Sequence, residues 1–260
     1  MAVLERSDTG AVAHLTLNSP GNLNALSDAM LAALDQAFEA LMHDRGIRAV
    51  ILSGAGKAFC AGHDLKEMRA GAEGADAAGY LKGLFDRCGA MMQKIGQLPQ
   101  PVIAQVHGVA TAAGCQLVAS CDLAVAADTA RFGVNGVNIG LFCSTPMVAL
   151  SRNVARKQAF EMLVTGDLID AARAREIGLV NRVVPEPALA AATAALAGQI
   201  AGKLGTAVRI GKRAFYEQLQ MPLDRAYAHT GEVMVRNMME RDTAEGIAAF
   251  LEKRKPDWAQ

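Results

Sequence analysis

Residues 101–126 read PVIAQVHGVATAAGCQLVASCDLAVA. Pro101 to Val106 is a continuous apolar run of strand length, Gly114 to Ala119 suits a short helix, and Leu123 to Ala126 is a second apolar run. Runs without polar alternation fit strands covered on both faces, and a strand, helix, strand order fits parallel strands joined by helical crossovers. The same order stands upstream. Val12 to Leu17 alternates like a strand and ends at Asn18-Ser19-Pro20-Gly21. Ser27 can cap a helix that carries Met30, Leu31, Leu34, Phe38 and Leu41 at helical spacing. Ala49 to Ser53 is another buried strand, closed by Gly54-Ala55-Gly56. The fold class is α/β.

Ala70 to Gly79 is rich in Gly, Ala, Glu and Asp without an apolar face and reads as a mobile loop near a ligand entrance. From about Pro185 the strands stop, and helical patterns cover 188–201, 207–219, 223–239 and 243–253. We therefore divide the chain into a core, 1–199, and a C-terminal helical region, 200–260. Met234, Met238, Met239 and Phe250 in that region suit a packing surface, in the core or between subunits.

The 260 residues hold 26 basic and 26 acidic side chains, a balance that gives no electrostatic footprint for nucleic acid or for a membrane surface. Five cysteines, Cys60, Cys88, Cys115, Cys121 and Cys143, form no C-x-x-C pair and sit among apolar neighbours, a pattern that suits a reducing compartment. Met1 to Gly10 has no apolar core of signal-peptide length. A cytoplasmic protein is the expectation.

Four segments in order resemble the crotonase, or enoyl-CoA hydratase/isomerase, superfamily. They are Asn24-Ala25-Leu26; Phe59-Cys60-Ala61-Gly62-His63-Asp64-Leu65-Lys66; Pro101 to Ala104 with Gly108 and Ala113-Gly114-Cys115; and Cys121 to Ala124 followed by Phe132 and Gly140. Residues 112–122 and 140–146 look most like one subgroup, which lacks the family's two glutamates. The resemblance implies a spiral of ββα repeats and a C-terminal helical region that builds a homotrimer or a dimer of trimers. It also implies a place in fatty acid metabolism, lyase-type chemistry, no permanently bound cofactor, no metal, and a coenzyme A thioester as substrate or ligand. The matching backbone N–H groups, at His63 and Ala113, would form an oxyanion hole that polarises the thioester carbonyl. By the same carry-over, Ala25, Ala61, Gly62, Asp64 and Leu65 would line the path of the CoA moiety, with Lys57 and Lys66 near its phosphates. Taken singly, Gly62 also suits a plain turn, and Lys57 and Lys66 ordinary solvated charges.

The sequence departs from the family at its acid/base positions. Gln116 stands in Gly114-Cys115-Gln116-Leu117 and Gly136 in Phe132-Gly133-Val134-Asn135-Gly136, where hydratases of the family carry glutamates. Gln can hold a water but cannot take a proton near neutral pH, and Gly has no side chain. Each general acid/base contribution is worth about 10²- to 10⁴-fold, so efficient hydration is not expected. The naphthoate synthase branch also has a glycine at the second position, but two of its working groups fall on Val134 and Cys143 here.

Cys143-Ser144-Thr145-Pro146 suggests a helix start at Pro146, capped by Ser144 or Thr145. Cys143 could be an activated thiol there, and Cys143 or Ser144 could pair with His63 as a nucleophile; the plainer reading is a small apolar filler beside a helix cap. Acyl-CoA turnover at an atypical site, binding or sensing without turnover, thioester hydrolysis or another lyase step, and a structural subunit role all remain open at this point. If the pocket is otherwise family-like, restoring glutamates at 116 and 136 together should raise hydration; no gain would mean that 143–146 has reshaped it.

Overall fold

The computed structural model describes residues 2–259. It opens on β1 (Leu4–Thr9), antiparallel to β2 (Val12–Leu17), followed by α1 (Asp28–His43), β3 (Ala49–Gly54), α2 (Leu65–Ala72) and α3 (Ala77–Gln97). Next come β4 (Val102–Val106), β5 (Val109–Thr111), α4 (Ala113–Ser120), β6 (Leu123–Ala127) and β7 (Arg131–Gly133). Then follow α5 (Pro146–Asn153), α6 (Arg156–Thr165), β8 (Ile169–Asp170), α7 (Ala171–Glu176) and β9 (Arg182–Val184). The chain ends in α8 (Leu189–Ala201), α9 (Gly205–Gln218), α10 (Leu223–Met238) and α11 (Arg241–Leu251).

The large sheet runs β1-β2-β3-β4-β6-β9, parallel from β2 onward, and the small sheet runs β5-β7-β8. Two turns of the spiral each give one strand to each sheet: β4 and then β5, β6 and then β7. This is the ββα spiral that the resemblance implied. The unbroken apolar runs of β3, β4 and β6 are buried on both faces, as parallel strands under helices must be. In α1, Ser27 Oγ accepts from Met30 N at 3.1 Å, and Met30, Leu31, Leu34, Phe38 and Leu41 form its buried stripe.

Residues 70–79 are partly helical around a turn at 73–76, and not a loop throughout. α2 runs to Ala72 and α3 begins at Ala77, capped by Asp76, whose side chain accepts from Gly79 N at 3.0 Å. The polar start of α3 hides its pattern, which begins at Leu84 and continues through Cys88, Met91, Met92 and Ile95, all buried.

The C-terminal helices begin where the pattern placed them, but 199/200 is not a seam in the structure. That position falls inside α8, and α9 is bonded to the sheet through a buried polar cluster. Lys212 Nζ donates to Ile95 O at 2.8 Å, to Gln100 O at 2.9 Å and to Asp122 Oδ2 at 2.6 Å. Asp122 also accepts from Val102 N at 2.6 Å and from Tyr216 OH at 2.7 Å. Burial pulls the Lys212 pKa down while Asp122 pulls against it. By contrast α10 and α11 expose Met234, Met238, Met239 and Phe250 at 62%, 51%, 81% and 82%. No helix among the described residues is long and apolar enough to cross a membrane.

A buried carboxylate stripped of its ammonium partner is costly. Lys212→Met should therefore lower stability by about 3–5 kcal/mol, read as a reduced urea midpoint at unchanged slope.

Candidate functional site

The segment 60–63 is gripped from two sides. On one side Cys60 N donates to Val109 O at 3.1 Å and Thr111 N to Cys60 O at 3.0 Å, which zips the segment onto β5. On the other side Ala61 N donates to Leu23 O at 3.1 Å and Leu26 N to Gly62 O at 2.7 Å. Asn24 locks that second side. It is fully buried in the left-handed region (φ 55°), donates to Ala55 O and Ala58 O at 2.8 Å each, and accepts from Ser19 N at 2.9 Å.

Two glycines let the backbones meet. Gly62 has φ 96°, and a Cβ there would lie 3.0 Å from Ala112 Cβ, 3.1 Å from Thr111 O and 3.3 Å from Ala113 N. At Gly114 a Cβ would lie 2.1 Å from Cys60 O. Between them Ala112 holds φ 49° and ψ −119°, a conformation costly for any residue with a Cβ. The result is that His63 and Ala113 both border one cavity of about 680 Å³. Among the described residues neither backbone N–H has an acceptor in the protein.

Of the residues singled out by sequence, Ala25, Ala61, Asp64, Leu65 and Lys66 also line this cavity, as do Gly136, Cys143 and Ser144. Gln116, Gly62 and Lys57 do not. Gln116 is 5% exposed on α4, and its Oε1 lacks a partner. Gly62 lies beneath the wall, where its role is to permit contact, and Lys57 is out in solvent.

Asp64 is committed elsewhere. Its Oδ1 caps α2 by accepting from Lys66 N at 2.9 Å and Glu67 N at 3.3 Å, and Oδ2 accepts from Asn22 Nδ2 at 3.1 Å. These bonds hold its carboxylate below the usual range although burial opposes them.

His63 and Asp64 do not form a surface pair. The imidazole stands edge-on to Phe85, ring centroids 5.7 Å apart, and both ring nitrogens are shielded from water without a hydrogen-bond partner. Burial lowers its pKa below the ordinary 6.5, with the charge of Asp28 opposing, so the buried site disfavours the imidazolium form.

Cys143 takes the filler role. It is 6% exposed, its Sγ accepts from Gly136 N at 3.3 Å, and burial pushes its pKa up, the opposite of an activated thiol. α5 starts at Pro146 as expected, but no side chain caps it; Ser144 Oγ instead donates to Phe142 O at 3.4 Å. Restoring carboxylates does not fit this pocket, because a Cβ on Gly136 would meet Leu141 O at 2.3 Å and Cys143 Sγ at 2.8 Å. The expected gain from glutamates at 116 and 136 is thus withdrawn: the 141–143 segment fills the space a side chain would need.

Sequence reading missed Met68 and Phe85, which form apolar wall. Phe85 adjoins the buried stripe of α3, whose helical spacing from Leu84 onward was the available signal.

A family profile described as enoyl-CoA hydratase/isomerase matches residues 7–260. Human enoyl-CoA hydratase domain-containing protein 3, mitochondrial, is 47% identical over 251 residues, covering 95% of this chain and 80% of that protein. Its Xenopus laevis counterpart, also named mitochondrial, is 47% identical over 247 residues, covering 95% and 83%. Residues 112–122 and 140–146 resemble this subgroup. Among solved structures, an enoyl-CoA hydratase from Mycobacterium smegmatis superposes with TM-score 0.95 at 55% identity, covering 99% of each chain. The human domain-containing protein 3 superposes with TM-score 0.94 at 44% identity, covering 98% of this chain and 100% of that one.

The relatives named mitochondrial overturn the cytoplasmic expectation. Its physical basis was weak, because all five cysteines are buried. Cys115, for example, is pushed up to about 12 by burial, and such thiols stay reduced by shielding whatever the compartment.

Two outcomes are expected. Gly114→Ala drives a methyl group into backbone and should cost at least about 2 kcal/mol in urea unfolding, although alanine is the better helix former. The unfolded chain protonates His63 at higher pH than the native one. Stability should therefore fall as pH drops from above 6.5 through the depressed native pKa, and His63→Phe should remove that part of the slope.

Proposed function

The chain belongs to the enoyl-CoA hydratase/isomerase family, and from that premise we propose that it binds a coenzyme A thioester in the cavity beside His63 and Ala113. The observation that carries this reading is the glycine-enabled contact of 60–63 with 111–114, which leaves two backbone N–H groups without protein acceptors at one cavity wall. A thioester carbonyl oxygen placed between them accepts both bonds. Two fixed dipoles favour the enolate-like oxygen over the neutral carbonyl, and each such donor is worth about 2.7–4 kcal/mol of barrier. Ala113 also begins α4, whose N-terminal end adds positive potential.

Proton handling is the weak part of the site. Gly136 offers no side chain, Gln116 lies off the wall, Asp64 serves as a cap, and Cys143 is a shielded thiol. The reading is therefore carbonyl polarisation without an acid/base pair: acyl-CoA binding, with hydration slow or absent. The exposed apolar faces of α10 and α11 support a homotrimer or a dimer of trimers as the assembly that carries it.

Calorimetry with butyryl-CoA and crotonyl-CoA tests the proposal. Both esters should bind, and Ser144→Trp, which places a large ring at the exposed lip of the cavity, should weaken binding at least about tenfold. Crotonyl-CoA hydration should run at least about 10²-fold below that of a carboxylate-bearing member, and Gln116→Glu should not restore it. Absence of binding to either ester at millimolar concentration would remove the proposal.

A further inference from the structure

A second, smaller cleft lies at the opposite end of the central strands from the His63 cavity. Ile47 and Arg48 lead into β3 there, and Gln100 stands two residues before β4, whereas His63 and Ala113 follow strands β3 and β5. Its volume is about 230 Å³, and three guanidinium side chains line it, those of Arg45, Arg48 and Arg209.

Among the described residues none of the three has a carboxylate within ion-pair distance. Asp44, the only acid among the described residues of the cleft wall, is occupied: its carboxylate is bound by Arg6 at 2.8 Å and accepts from Gly46 N at 3.0 Å. Two of the arginines are aimed by neutral partners. Arg48 donates to Ala201 O at 3.1 Å and Arg209 to Thr206 Oγ1 at 3.2 Å. Burial and the neighbouring charge of Arg45 both disfavour the charged form of Arg209, with Glu240 opposing. The cleft thus gathers like charges that repel, and the start of α9 adds the positive end of a 14-residue helix to the same wall.

We propose that this cleft is an anion site for a phosphate group, held by Arg45, Arg48 and Arg209. The forked donors of guanidinium match tetrahedral phosphate oxygens and give paired hydrogen bonds as well as charge. The volume admits orthophosphate or a terminal phosphoryl group, but only a third of what the His63 cavity could hold. This site is independent of the acyl-CoA reading, because no residue is shared between the two cavities.

The test is thermal unfolding of the full chain in sodium phosphate, in ADP, and in sodium chloride at matched ionic strength. The wild-type Tm should rise by about 2–4 °C once phosphate exceeds its Kd about fivefold. A rise with ADP alone would identify the source as a nucleotide phosphate if Arg45→Gln abolishes it; an ADP rise that Arg45→Gln leaves intact would overturn the proposal, because ADP is also a fragment of coenzyme A. Arg45→Gln, at an exposed position, and Arg209→Gln should each abolish the phosphate-dependent rise. In chloride, Arg45→Gln should be at least as stable as wild type, since one repulsive charge is gone. If Arg209→Gln does not fold, Arg45→Gln carries the comparison. Equal rises in phosphate and chloride, or an undiminished phosphate rise in Arg45→Gln, would overturn the proposal.

Discussion

Two backbone segments, 60–63 and 110–114, approach more closely than side chains permit, and the site depends on that approach. It is enforced from both flanks, by the ladder to β5 and by the clamp of Asn24 on 55–58. Gly62 and Gly114 are the two positions where a single methyl group would force the segments apart. The unfavourable dihedral pair at Ala112 persists because the surroundings over-determine it, and it stands immediately before Ala113 on the cavity wall. Strain of about 1–3 kcal/mol is tolerable in a core of this size, where it would not be in a surface loop.

A site built from backbone donors is insensitive to the side chains around it. That property separates two kinds of chemistry which are usually found together. Carbonyl polarisation survives any substitution that keeps the two segments in contact, whereas proton transfer requires particular side chains at particular points on the wall. On the proposed reading the second kind is missing, and at Gly136 the space for a side chain is filled. Cys143 sits over Gly136, bonded to its N–H, and the Leu141 carbonyl closes the remaining direction.

The α/β class, the parallel strands and the α1 cap were legible in the sequence because each rests on local pattern. So was the pairing of His63 with Ala113, through the ordered motif. What escaped was governed by tertiary contact. α3 was hidden because its first turn, Ala77 to Tyr80, has no apolar stripe and is held by Asp76 and by the Tyr80 hydroxyl on Asp28. Gln116 and Gly136 are equivalent in sequence argument, yet Gln116 is buried within α4 off the cavity wall and Gly136 lines it. No pattern of spacing distinguishes them, since the difference lies in how two separate segments pack. Lys212 was equally unreadable: one lysine among exposed neighbours on α9, it becomes the bolt between α9 and the sheet only because Asp122 and two carbonyls converge on it.

Lys212 and the three arginines show why a balance of 26 against 26 says little about local electrostatics. Lys212 has spent all three of its donors on protein acceptors, so its charge is internally compensated and available to nothing else. Arg45 and Arg48 stand on the α1–β3 connection and Arg209 on the same helix α9 as Lys212, yet Arg48 and Arg209 spend bonds on a carbonyl and a hydroxyl. Both groups are desolvated in part, and desolvation is costly to a charge whether or not a partner is present. Where the partner is a carboxylate, the arrangement is a structural lock. Where only neutral dipoles aim the guanidinium groups, the uncompensated charge persists, and it is that residue of field, not the net charge of the chain, that selects what the surface can hold.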